Sequence, residues 1–118
     1  MDINLDYHKD HKEWKSKLDF YKDEISFFFK ELNMVFDRDK ENLARMEFID
    51  EYEAILDKNA DKIKDLVERI DAAEKELSDE ENKSKPSVHH QLHLDIIKFE
   101  RSYQDMKKRF KRFASRND

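Results

Sequence analysis

Seven residues in the first third of the chain recur at alternating steps of four and three: Trp14, Leu18, Tyr21, Ile25, Phe28, Leu32 and Val35. A 3.5-residue apolar repeat marks a helix buried along one edge against other helices. A strand repeats every two residues, so this spacing cannot line one face of a sheet. Two more seams follow. The second is Ile49, Tyr52, Leu56, Asn59, Ile63, Leu66, Ile70, Ala73 and Leu77; the third is Leu92, Ile96, Phe99, Tyr103, Met106, Phe110 and Phe113. Each seam is the surface the other two require.

The punctuation agrees. The chain has no Gly and one Pro, so hairpins and phosphate-cradling loops that rely on positive φ are disfavoured. The charged run Asp37–Glu41 reads as a first turn, with Asp39 as the cap of the second helix. Ser78–Lys85 holds no apolar residue and reads as a second, mobile connection. Pro86 suits the first turn of a third helix, where its missing amide costs nothing. The spacing predicts helices over about 5–37, 40–77 and 86–114, within one domain spanning 1–118. Short connections make neighbours antiparallel. The expected fold is an all-α, elongated, antiparallel up-down-up three-helix bundle. It resembles a spectrin repeat, including a Trp in the first helix, and that likeness implies a fold and no activity.

Charged residues make up 45% of the chain. Fourteen aromatic residues (nine Phe, four Tyr and one Trp) set in periodic register separate it from a disordered polyelectrolyte of similar charge. With no Cys, disulfides, thiol catalysis and cysteine zinc sites are excluded. The polar, acidic start Met1–Asp10 is unlike a secretory leader, and no apolar run is long enough to span a bilayer. A cytoplasmic location is the expectation. The net charge of -5 is unevenly spread: residues 1–106 hold 18 basic and 28 acidic residues, residues 107–118 six basic and one acidic.

All five histidines fall in two places, His8 and His11 near the start of the first helix and His89, His90 and His93 near the start of the third. In an up-down-up bundle both groups lie at one end of the rod, beside Asp71 and Glu74 of the second helix. Imidazole and carboxylate are ligands for zinc, iron or manganese. A metal site from His8, His11, His89, His93, Asp71 and Glu74 is therefore one candidate. Level counting sets His11 and His89 more than two turns apart, which argues against one site using all five histidines. The Glu-x-x-His motif of di-metal bundles is missing.

Asn59 interrupts the second seam, where a lone polar residue penalises wrong registers. The run Lys107, Lys108, Arg109, Lys111 and Arg112 could meet an anionic partner, nucleic acid or membrane. Phe110 and Phe113 stay on the seam, however, so they read as core and not as stacking platforms, and the acidic remainder makes nucleic acid the weaker partner. The serines sit in no nucleophile motif, and carboxylate pairs carry no signal in so charged a chain.

His11-x-x-Trp14, Leu18-Asp19-Phe20-Tyr21-Lys22-Asp23-Glu24-Ile25, His90-x-x-His93, Phe99-Glu100-x-x-Tyr103 and the Phe110/Phe113 close resemble a group of small bacterial helical proteins. That resemblance covers the first and third helices. It implies an all-helical cytoplasmic protein and supplies no functional residues. The expected function is a non-catalytic interaction or scaffold module, with a protein partner or a second copy as its ligand. The motive is the width of the apolar faces: Phe20, Phe27, Phe29, Phe36, Phe48 and Ile97 lie beside the seams, more than a three-helix core covers.

Overall fold

The computed structural model describes residues 3–77 and 85–115. They form three helices, α1 (Ile3–Asp39), α2 (Leu43–Leu77) and α3 (Pro86–Ser115), in a rod of 61 × 18 × 17 Å. Early α1 meets late α2, and α1 runs parallel to α3, so the order is up-down-up. The fold is the expected all-α three-helix bundle. Among the described residues no helix is long and apolar enough to cross a membrane, and none has positive φ. The connection expected to be mobile lies, apart from Lys85, outside the described residues.

The seams became the core. All seven residues of the first and all seven of the third are buried. The second seam buries Ile49, Leu56, Ile63, Leu66 and Ile70, with Tyr52 and Ala73 packed partly against them. The two kinds of seam pack differently. α2 offers mainly Ile and Leu, and α1 lies closest to it. α1 and α3 meet through rings: Tyr21 on Tyr103 at 4.6 Å, Phe28 on Phe110 at 5.1 Å, Trp14 on His93 at 5.3 Å between centroids. Helix spacing follows side-chain size at the contact, so rings hold these two backbones farther apart.

The first turn differs from expectation. α1 continues to Asp39, and the cap of α2 is Asn42, not Asp39. The Asn42 side-chain oxygen accepts from the Arg45 amide at 3.1 Å, and its carbonyl accepts from Met46 at 3.0 Å. Asp39 is not available to cap, because its carboxylate accepts from both Arg38 and Arg45. At the start of α3 the Lys85 carbonyl accepts from the Val88 and His89 amides, with Pro86 in the first helical position as expected.

Candidate functional site

Three groups of polar and aromatic side chains cross the rod. At the histidine end, α1 supplies Tyr7, His8, Asp10, His11 and Trp14, α2 supplies Glu74, and α3 supplies His89 and His93. Glu74 accepts from His8 and, at 2.9 Å, from His11 Nδ1. Burial works to raise the Glu74 pKa, and the hydrogen bonds from His11 and His8 outweigh it, leaving the group below the ordinary glutamate value. A carboxylate only accepts, so His11 carries its proton on Nδ1. Its Nε2 is buried with no partner, and the residue is 3% exposed. His89 stacks on Tyr7 at 3.6 Å, lies 4.9 Å from Trp14 and 5.4 Å from His11 between centroids, and bonds Asp10 through Nε2 at 3.0 Å.

This arrangement divides the six residues expected to form a metal centre. The six candidate ligands do not form one set: Asp71 pairs with Lys15 at 2.8 Å, His89 with Asp10, and His93 stacks over Trp14. Glu74 bonds His8 and His11, and His89 meets His11 through its ring. Among the described residues no group of three or more His, Cys, Asp or Glu is placed to hold a metal ion. His11, His89 and His93 contribute faces to an aromatic stack, and His8, His11 and His89 bond carboxylates. The level count is corrected as well, since His11 and His89 are neighbours. Part of the error is the first turn, because moving a turn by one residue shifts every facing level by two.

The middle of the rod holds a reciprocal pair. Tyr21 of α1 donates to Glu100 of α3, and Tyr103 of α3 donates to Glu24 of α1, both at 2.9 Å. Lys107 donates to the other Glu24 oxygen at 2.6 Å. Burial raises both tyrosine pKa values, and the carboxylate partners raise them further. This pair sets the α1–α3 register. The sequence carried a signal for it in the mirrored spacings Tyr21-x-x-Glu24 and Glu100-x-x-Tyr103. Asn59, the expected register residue, is half-buried and donates to the Ile55 carbonyl at 2.8 Å. A bond within one helix sets no register between helices, so that role passes to the tyrosines.

At the turn end, Arg45 bridges all three helices. Its guanidinium donates to Asp39 at 3.1 Å and to the Phe113 carbonyl at 3.0 Å, and lies 4.1 Å from the Phe113 ring centre. Arg38 donates to the Ala114 carbonyl at 3.4 Å. These bonds reach carbonyls in the last turn of α3. Sequence reasoning missed Arg45, which has no periodic signature.

Of the expected basic patch, Lys107 is held by Glu24, while Lys108, Arg109, Lys111 and Arg112 are exposed. Phe110 and Phe113 are core, as the seam required. Of the flanking apolar residues, Phe29 packs against the core and Ile97 is half-buried. Phe20, Phe27, Phe36 and Phe48 remain exposed. Phe20 and Phe27 are each 58% exposed and Met34 71%; seven apart in sequence, the three form a stripe on the outer side of α1. The chain matches no family model, no curated protein and no solved structure in the comparisons made.

Proposed function

We propose that the chain is a non-catalytic helical interaction module whose contact surface is the outer stripe of α1, and that a second copy covers it. The observation that carries the reading is the exposure of Phe20, Phe27 and Met34 in heptad register. Scattered apolar residues need no explanation on a surface, but a row of three large ones along one helix is a partner-type feature. The charges beside the stripe favour a second copy in antiparallel register. A two-fold axis at Phe27 sets Phe20 against Met34 and Asp23 against Lys30 of that copy. Asp23 and Lys30 are both exposed. Such a contact is isologous and closes on itself. The converging polar groups elsewhere support the non-catalytic part, because they bond one helix to another.

Sedimentation velocity over a micromolar concentration range tests this. The wild-type chain is expected to move from monomer to dimer, and Phe27→Ser to remain monomeric with unchanged helicity. A strict monomer at every concentration, or a dimer indifferent to Phe27→Ser, contradicts the reading.

A further inference from the structure

A different surface carries a second kind of partner. The end of α3 presents Lys108, Arg109, Lys111 and Arg112 around its outer arc, all exposed. Among the described residues none of the four side chains takes part in an ion pair or hydrogen bond. Neighbouring cations are engaged: Lys107 with Glu24, Arg45 with Asp39. Unpaired charge is thus concentrated on less than two turns of one helix.

Apolar side chains are exposed at the same end. Leu43, in the first turn of α2, is 82% exposed, and Phe48 one turn later is half exposed. The Phe48 ring lies 6.1 Å from that of Phe113. Arg109 and Arg112 both lie within electrostatic reach of Tyr52, which packs on Phe113 at 4.8 Å. Phe48 thus lies on the α2–α3 edge that Arg109 and Arg112 reach, and Leu43 is exposed at the same end of the rod.

We infer that this end of the rod docks on a lipid surface bearing anionic headgroups, with Lys108, Arg109, Lys111 and Arg112 on the headgroups and Leu43 and Phe48 at the acyl boundary. Charge complementarity and exposed apolar groups together are the two signals that such adsorption needs. The acidic remainder of the chain, 28 acidic against 18 basic residues over 1–106, is repelled by the same surface. The α3 cations therefore make the contact, and the exposed Asp37, Glu41 and Glu47 at the same end oppose it. A nucleic acid fits less well. Phe110 and Phe113 are buried, so they offer bases no stacking platform, and phosphate would leave Leu43 and Phe48 uncovered. Glu51 also acts on Tyr52 and is a further opposing charge on this edge, with Asp50 exposed beside it.

The test is co-sedimentation of the full chain with phosphatidylcholine vesicles, with and without phosphatidylglycerol. Binding is expected only with phosphatidylglycerol and is expected to fall steeply with salt. Each cation replaced by Gln is expected to weaken partition about fivefold, and the combined Lys108→Gln, Arg109→Gln, Lys111→Gln, Arg112→Gln variant to lose it. Leu43→Ser is expected to weaken binding without altering its salt dependence. Circular dichroism of each variant verifies folding. No binding to the anionic vesicles, equal binding to the neutral ones, or unchanged binding by the fourfold variant overturns the inference. So does capture of a short DNA duplex with the vesicles left untouched. None of these outcomes bears on self-association through α1, which is read without vesicles.

Discussion

The two ends of the rod join the same three helices by different chemistry. At the turn end, chain connectivity already ties α1 to α2 within three residues, and Arg45 adds α3 by bonding the Phe113 carbonyl. That guanidinium is charged at every accessible pH. At the histidine end no such short turn exists, and side chains do the joining: a stack of Tyr7, His89, Trp14 and His93 with Glu74 and Asp10 around it. The comparison shows how the clustered histidines serve the packing. Flat rings with one donor each can pack between helices and still place an N–H on a carboxylate. A metal would need their lone pairs turned to a common point.

The largest expected effect that sharpens this contrast is at the stack. Trp14→Ala removes the ring on which His89 and His93 lie, and is expected to cost about 3–5 kcal/mol in urea unfolding. A loss below about 1 kcal/mol would show that the histidine end is not held by its rings. Next comes Arg45→Ala, which strips a mostly buried guanidinium from Asp39 and two helix ends. Its expected cost is about 1.5–3 kcal/mol, with exchange protection lost first at the end of α3. Tyr103→Phe, between the two ends, should cost about 1 kcal/mol, and coupling with Glu24→Gln in a double-mutant cycle would identify the register bond.

Glu74 separates the ends by pH. Its folded pKa lies below its unfolded value, so between the two the unfolded chain binds more protons. The contribution is therefore fully present above the ordinary glutamate range, about 4.3, and is lost as pH falls through the lower folded value. Glu74→Gln should flatten the acid limb of the stability curve while costing about 1 kcal/mol at neutral pH, the carboxylate being partly exposed. Asp39 is also lowered, by Arg38 before other causes, and Asp95 by Arg69, so some acid slope should survive in Glu74→Gln, shrink with Asp39→Asn added, and persist through Asp95. Least affected should be the fourfold Gln variant of the α3 cations, whose stability is expected within about 0.5 kcal/mol of wild type. A larger loss would mean that those side chains have partners within the bundle.

The same contrast explains what could be read from the sequence. The three seams were legible because burial imposes a 3.5-residue period, and every residue of the first and third was buried as expected. The gathering of histidines at one end was legible from connectivity alone. Their bonding was not, because ring orientation depends on axial level, and level depends on where the turn falls. Placing the cap at Asp39 instead of Asn42 was enough to displace α2 against α1. Asn59 misled because a polar residue on a seam can turn back to its own helix. Arg45, Glu24 and Glu100 lie outside any apolar period, and only the packed structure joins the two carboxylates to the seam tyrosines. The exposed stripe was half legible: Phe20 and Phe27 were flagged, while Phe29 beside them packs inward.

The central claim is that this rod associates along its side, through α1. Small-angle scattering against concentration tests it most directly. At dilution the radius of gyration should approach that of one rod, 18.3 Å for the backbone, with a long dimension near 61 Å. On concentration the cross-section should grow while the length stays far short of doubling, and Phe27→Ser should abolish the growth. A doubled length at constant cross-section, or a single rod at every concentration, would contradict the account.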